Sequence, residues 1–280
     1  MKKGIVVAVL GLIIVIVLLV VLRISQNEKA ATITTLGPSQ SAYQGQERDI
    51  LYQVSTFNAL LDGLYDGQFS FGELRKYGDT GIGTVAGLDG ELVELDGQFY
   101  QVKADGVAYP VDDNMQTPFA SLSYFDADKT ATLSGPMDFA QLQAKLDETI
   151  TNKNIFHVIK INGDFKYVKT RSVPGQQKPY PPLVEVTKNQ PEFEFENVNG
   201  TLVGFWCPSY VQGINVAGYH VHFLTSDKKA GGHLLDFNLQ NGELQLDETA
   251  NFHLALPVSD DFNKIDLSQD RSQEAEKVEK

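Results

Sequence analysis

The chain has 280 residues, with 36 Asp and Glu against 23 Lys and Arg, a formal net charge of −13 at pH 7. Acidic excess of that size argues against nucleic acid, whose binding rests on neutralising phosphates, and against a polybasic membrane patch. The single cysteine, Cys207, excludes an internal disulfide; beside Trp206 in GFWCPSY it reads as a packed apolar residue rather than a nucleophile.

In chain order, the first feature is an uninterrupted apolar run of 19 residues from Gly4 to Leu22, flanked by Lys2, Lys3 and Arg23. As a helix it spans roughly 28 Å, close to the hydrocarbon core of a bilayer. Cleaved signal peptides carry a shorter core and a small-residue cleavage site, so residues 1–23 read as a transmembrane anchor in preference to a removed signal. The leading lysines keep the N-terminus cytoplasmic, which predicts an anchored chain on the extracytoplasmic face of the cell membrane, or a secreted one if the segment is cleaved. Residues 24–46 are polar, contain Gly37-Pro38 and read as a flexible linker. The remainder, roughly 230 residues, can bury a substantial core.

Residues 50–61 (ILYQVSTFNALL) open the globular part, and Phe71 to Tyr77 is a short amphipathic segment. From Gly81 to Pro110 apolar runs alternate with Asp89-Gly90, Asp96-Gly97 and Asp105-Gly106, and such pairs supply the positive φ angles of tight hairpins; this predicts a β-meander. Residues 118–126 form a further strand candidate. Met137 to Ile150 carries Leu142, Leu146 and Ile150 on one face and predicts a helix. Strands return from Ile155 to Val173, prolines at 174, 179, 181 and 182 interrupt them, residues 183–256 are β-rich, and residues 259–280 form a charged tail. The expected fold is α+β, with mixed or antiparallel sheets, few helices and one preceding transmembrane helix. Two β-rich subdomains are expected, residues 47–165 and 166–280.

Three of the five histidines fall in YHVHFLTSDKKAGGHLLDF: His220, His222 and His233. On a strand His220 and His222 point the same way. Residues 225–232 have the composition of a turn, and a loop centred near Asp227 and Lys228 places His233 opposite His222. Three imidazoles then converge, the ligand set of an open zinc site that leaves a position for water or substrate. Zinc suits these ligands best, though copper, nickel, cobalt and iron take the same set. His157 in IFHVIKI and His253 in NFHLAL read as half-buried strand residues outside it. The glycines at 81, 83 and 87 have the wrong spacing for a nucleotide loop, and GxSxG is absent.

The segments FNALLDGLYDGQFSFGELRKYGDTGIGTVAGLDGELVELDGQFYQVKADG, TPFASLSYF, TRSVPGQQKPYPPL and GYHVHFLTSDKKAGGHLLDF, in that order, make the chain resemble the bacterial alpha-acetolactate decarboxylases. The last segment, with its three histidines and GGH-LLDF, is highly specific. The resemblance covers Phe57 to Phe237, nearly all of the chain after the linker. It implies a metal-dependent carboxy-lyase converting 2-acetolactate to acetoin and carbon dioxide. Under it the metal ligands fall on His220, His222 and His233, an active-site glutamate on Glu91 of the DGE motif, and an active-site arginine on Arg171. A further glutamate from the tail falls on Glu274, next to Arg271-Ser272-Gln273, with Glu276 and Glu279 in the same tail. Val85 stands where the resemblance leads one to expect phenylalanine.

On sequence alone Glu91 reads as a solvated turn residue, Arg171 as a surface cation and the tail glutamates as solvated; only the resemblance brings them to a site. The implied chemistry gives them independent sense. Loss of carbon dioxide from a hydroxy-keto acid leaves an enediolate, which a metal stabilises as a Lewis acid and a preorganised cation stabilises electrostatically. Arg171 serves first as a clamp on the substrate carboxylate and second as an acid, while Glu91 and Glu274 order water or the substrate hydroxyl. The implied partner is the small molecule 2-acetolactate, with no nucleic acid, membrane contact through the N-terminal segment only, and a homodimer left open. Two other classes fit the histidines alone: a non-catalytic extracytoplasmic metal-binding module, and a zinc hydrolase with Glu91 activating water.

Overall fold

The computed structural model of the chain describes residues 33–35 and 48–279. The expected anchor and most of the expected linker lie outside the described residues, among which no helix is long and apolar enough to cross a membrane.

After a short strand, Ile33–Thr35 (β1), the globular part opens on Ile50–Val54 (β2) and a helix, Phe57–Leu61 (α1), whose N-cap Thr56 accepts a hydrogen bond from Ala59 N. Phe69–Ser70 (β3) leads into one helical turn, Phe71–Leu74 (α2), closed by a capping box between Ser70 and Glu73. The predicted meander is present as Thr80–Thr84 (β4), Glu91–Leu95 (β5), Gln98–Val102 (β6) and Ala108–Pro110 (β7). Its DG turns place Gly90, Gly97 and Gly106 at φ of 90°, 74° and 78°. At Gly90 the requirement is also steric, because a Cβ there would lie 2.3 Å from the Val102 carbonyl oxygen. Gln116–Thr117 (β8) pairs with β3, and the 118–126 candidate is Ala120–Ser123 (β9).

Lys129–Met137 (β10) precedes the predicted helix, which runs Phe139–Thr149 (α3) and starts at a capping box between Asp138 and Gln141. Leu142, Leu146 and Ile150 are buried on its inner face, as their spacing required. The long strands follow: Phe156–Arg171 (β11), then a helical turn Leu183–Val186 (α4), Glu192–Cys207 (β12), Gly218–Thr225 (β13), Gly231–Thr249 (β14) and Asn251–Ala255 (β15). Within the charged tail, residues Ser272–Glu279 form a helix (α5) that docks through Ala275 and Val278, a feature the tail's composition did not announce.

Two sheets dominate. The first has the order β1-β10-β14-β11-β12-β13 and is antiparallel throughout, with β13 also pairing back onto the start of β14. The second has the order β15-β2-β9-β4-β5-β6-β7, antiparallel except for the parallel pair β15–β2. Mixed and antiparallel sheets with few helices are the α+β arrangement expected.

The division into subdomains at residues 165 and 166 is corrected. That boundary falls inside β11, β15 from the C-terminal half completes the sheet begun by β2, and the chain from Ile33 onward is one compact unit. Local patterning does not reveal such pairings, because their partners lie some 200 residues apart. One apolar cluster joins Leu51, Ile82, Val93 and Val102 to Val158, Val203, Phe205 and Leu224 across the two sheets. Another gathers Phe57, Leu60, Leu61, Phe119 and Leu183 around Ala275 and Val278 of α5. Val85 is buried in a third with Leu92, Phe99 and Val111.

Candidate metal centre and its polar partners

Strand register builds the site. In the hairpin of β13 and β14 His222 is the cross-strand partner of His233, as the loop position predicted, and His220 lies two residues along the same face. The tip is held by Lys228 at φ 60° and by the Thr225 hydroxyl, which accepts from the amides of Lys229 and Ala230. On its other edge β14 pairs with β11, so that Arg171 faces His233 directly. His233 therefore stands between His222 and Arg171 by backbone pairing alone. The imidazole centroids lie 5.1, 5.2 and 5.3 Å apart, and one ligating atom from each ring falls within 4.8 Å of the others.

The second sheet supplies the rest. Glu91 begins β5, directly after the Gly90 turn, and is paired with Thr84 and Val102. Its Oε1 accepts from Arg171 Nη1 at 3.2 Å, and its Oε2 is 3.6 Å from His222 Nε2. The turn is fixed from outside by Gln101, whose amide donates to Asp89 Oδ2, by Lys103, paired with Asp89, and by the Thr84 hydroxyl, which donates to Gly90 O. His222 Nδ1 lies 2.8 Å from the Leu92 carbonyl oxygen. A carbonyl only accepts, so Nδ1 carries the proton and Nε2 keeps its lone pair facing the cluster.

The tail also reaches the cluster, through a different residue from the one expected. Glu279, the last residue of α5, places Oε2 3.6 Å from His220 Nε2 and 4.0 Å from His233 Nε2. Glu274 is corrected: it stands at the other end of α5, paired with Arg271 at 2.7 Å, and does not join the cluster. Five positions on a helix turn a side chain by about 140°, so the two glutamates flank the buried Ala275–Val278 stripe on opposite sides. Arg271, bound also to Asp62, captures Glu274 at the first turn, and Glu279 is the glutamate directed inward.

Burial controls the charges. His220, His222, His233, Glu91 and Arg171 are 8, 0, 3, 7 and 3 % exposed. Burial and the nearby Arg171 hold His220 down to about 3. Burial, reinforced by Arg171 and by neighbouring imidazoles, holds His222 and His233 well below the ordinary histidine value. All three are therefore neutral, which is the ligating form. Burial lifts Glu91 to about 7 against the pull of Arg171, with Glu279 adding to the rise. Burial likewise lifts Glu279 to about 7, again opposed by Arg171.

Two buried atoms facing the cluster, His222 Nε2 and Glu279 Oε2, have no hydrogen-bond partner. Unpaired acceptors among three neutral imidazoles are the deficit that a divalent cation satisfies, so the donor set fits a metal ion on His220, His222 and His233. Beyond this polar pole the cavity wall is apolar, formed by Phe57, Leu60, Leu88, Phe119, Leu183 and Val278.

Of the residues expected at the site, the structure brings together His220, His222, His233, Glu91 and Arg171. His157 and His253 stand elsewhere, the first bound to the Asn152 carbonyl and the second beside Tyr52 and Tyr77. Sequence reasoning placed Glu274 ahead of Glu279, which it named in the same tail and which the structure brings to the cluster, and did not single out Gln190, whose Oε1 accepts from Arg171 Nη1 at 3.0 Å. Ala275 and Val278 at helical spacing were the available signal for Glu279; nothing local marked Gln190.

Residues 51–269 match the family described as alpha-acetolactate decarboxylase. A protein of that name from Methanosarcina mazei is 47% identical over 255 residues, covering 91% of this chain and 88% of its own. One from Bacillus subtilis is 44% identical over 217 residues, covering 78% and 85%. The crystal structure of alpha-acetolactate decarboxylase from Bacillus subtilis strain 168 superposes with a TM-score of 0.80 at 42% identity, covering 82% of this chain and 99% of that one.

Proposed function

The chain belongs to the alpha-acetolactate decarboxylase family, and from that premise we propose that 2-acetolactate loses carbon dioxide at the buried histidine cluster to give acetoin. The observation supporting this most directly is the junction of three neutral imidazoles with one guanidinium and two carboxyl groups inside a largely buried cavity. His220, His222 and His233 hold a divalent ion, zinc on the preference of imidazole ligands. When bound, such an ion supplies Lewis-acid polarisation of the substrate's ketone and hydroxyl oxygens.

The remaining work falls to the chain's own side chains. The Arg171 guanidinium attracts the substrate carboxylate into a site where little water competes. Breaking the bond to the carboxylate carbon leaves its electron pair on the carbinol carbon, spread onto the neighbouring ketone, and a proton must return to that carbon to complete acetoin. Glu91 and Glu279 flank the cluster from two sides and hydrogen-bond the substrate hydroxyl or a water held with Arg171. The apolar wall opposite receives the methyl groups and excludes bulk water. The extracytoplasmic, membrane-anchored placement expected from Gly4–Leu22 belongs to the same proposal, and sequencing the mature N-terminus of protein isolated from membranes tests it.

The decisive experiment measures acetoin and carbon dioxide released from 2-acetolactate by purified protein, with metal content determined on the same sample. About one zinc per chain is expected, with turnover abolished by a chelator and restored by metal. Metal should raise the melting temperature of the parent and leave that of His222→Ala unchanged, a readout independent of turnover. Undiminished acetoin formation by His220→Ala and His233→Ala would overturn the reading.

A further inference from the structure

Arg171 is held by acceptors from three separate parts of the chain. Nη1 donates to Glu91 Oε1 at 3.2 Å and to Gln190 Oε1 at 3.0 Å, and Nη2 donates to the Val278 carbonyl at 2.8 Å. Gln190 has no part in the function proposed above. It follows the helical turn Thr187–Asn189 and precedes Pro191, whose carbonyl accepts from Ser172 N at 3.2 Å. Arg171 and Glu192 are cross-strand partners at the same point. Backbone pairing thus carries the Gln190 side chain to the guanidinium, and a group that only donates fixes which end of the amide must face it.

The distances rank the partners. A guanidinium and a carboxylate left to themselves close to about 2.7–2.9 Å. Arg171 and Glu91 stand at 3.2 Å, and both of the shorter contacts go to neutral oxygens. A guanidinium drawn fully onto Glu91 would have its charge offset by that carboxylate and would attract a substrate anion less. The Nε donor of Arg171 remains buried without a partner.

We propose that Gln190 is a positioning residue, a neutral acceptor that draws Arg171 off Glu91 and keeps the guanidinium's charge available to the substrate carboxylate. Neutrality is part of the assignment. A glutamate at 190 would bind Arg171 more strongly and cancel the charge the site needs, so the isosteric change is not conservative here. The inference rests on the decarboxylase reading, because it supposes an anionic substrate.

The test compares Gln190→Ala and Gln190→Glu with the parent, taking kcat and KM for 2-acetolactate alongside melting temperature and zinc content. Gln190→Ala should lower kcat/KM by about tenfold, mostly through KM, with folding and metal intact. Gln190→Glu should raise KM at least as much despite its matching shape. In an Arg171→Lys background, Gln190→Ala should change kcat/KM by less than about twofold, as two residues acting through one contact require. Parent-like constants for Gln190→Ala, or full restoration in Gln190→Glu, would overturn the assignment, as would a full tenfold loss in the Arg171→Lys background. A parent that makes no acetoin brings down the decarboxylase reading itself, whereas an active parent with unaffected variants brings down only the role of Gln190.

Discussion

Glu91 and Glu94 lie three residues apart on β5, both buried, and strand alternation sends them to opposite faces. Glu91 meets Arg171, His222 and Glu279, and its burial is answered by a cation and by neighbours that share one cavity. Glu94 points into the apolar cluster between β4 and β6, over Gly81, and neither of its oxygens has a hydrogen-bond partner. Burial raises both pKa values, yet for Glu91 the surroundings have a chemical use and for Glu94 they offer none. A buried carboxyl therefore marks a functional site only when the groups around it complete a reaction's requirements.

The largest effect expected from this contrast is on turnover. Glu91→Gln keeps the shape of the side chain and removes its charge and its proton exchange, and should lower kcat by about 100-fold with little change in melting temperature. Glu94→Gln should leave kcat and KM as they are. Equal loss in both variants would mean that β5 acts only as a scaffold. The tail glutamates offer a second contrast, one step smaller. Glu279→Gln should reduce kcat/KM by about tenfold, and Glu274→Gln, which only releases Arg271 from one of its partners, should do so by less than about twofold. Steady-state kinetics on 2-acetolactate reads both, and the opposite ranking would return the tail role to Glu274.

How much of this was legible depended on the range of the interaction. The hairpin of His220, His222 and His233 could be read because strand alternation and a polar turn act within a dozen residues, and the DG pairs marked the meander for the same reason. Glu91 and Arg171 had no local signal; what joins them is the closure of β11 onto β14 and of one sheet onto the other, and only family resemblance stood in for it. The tail failed on helix geometry. Its apolar pair Ala275 and Val278 leaves Glu274 and Glu279 as the flanking candidates, and the competing partner Arg271, three residues before Glu274, decides between them. Gln190 and Glu94 carry no pattern at all, because their significance lies in what stands against them after folding. The pairing of β15 with β2 was hidden in the same way, and the boundary expected at residues 165 and 166 fell in the middle of a strand.

The smallest effect concerns stability, and there the sign follows from linkage. Burial holds the Glu94 carboxyl well above its ordinary value in the folded chain, so between the unfolded and folded values the native state holds a proton that the unfolded chain has released. Its contribution to stability is fully present below the unfolded value and is lost as pH rises through the folded one. Nearby Asp79 adds to the rise and Arg75 opposes it, without bonding to either oxygen. Glu94→Met replaces the carboxyl with an apolar chain of similar length among Leu92, Phe99 and Leu122, and should stabilise the fold by about 1 kcal/mol near pH 5. The gain over the parent should grow toward pH 8, where the parent must keep a costly proton or bury a charge. Denaturant unfolding of both proteins across that range reads the difference directly. A gap that is constant with pH, or that narrows as pH rises, would show that Glu94 finds a partner in solution and that the contrast with Glu91 does not hold.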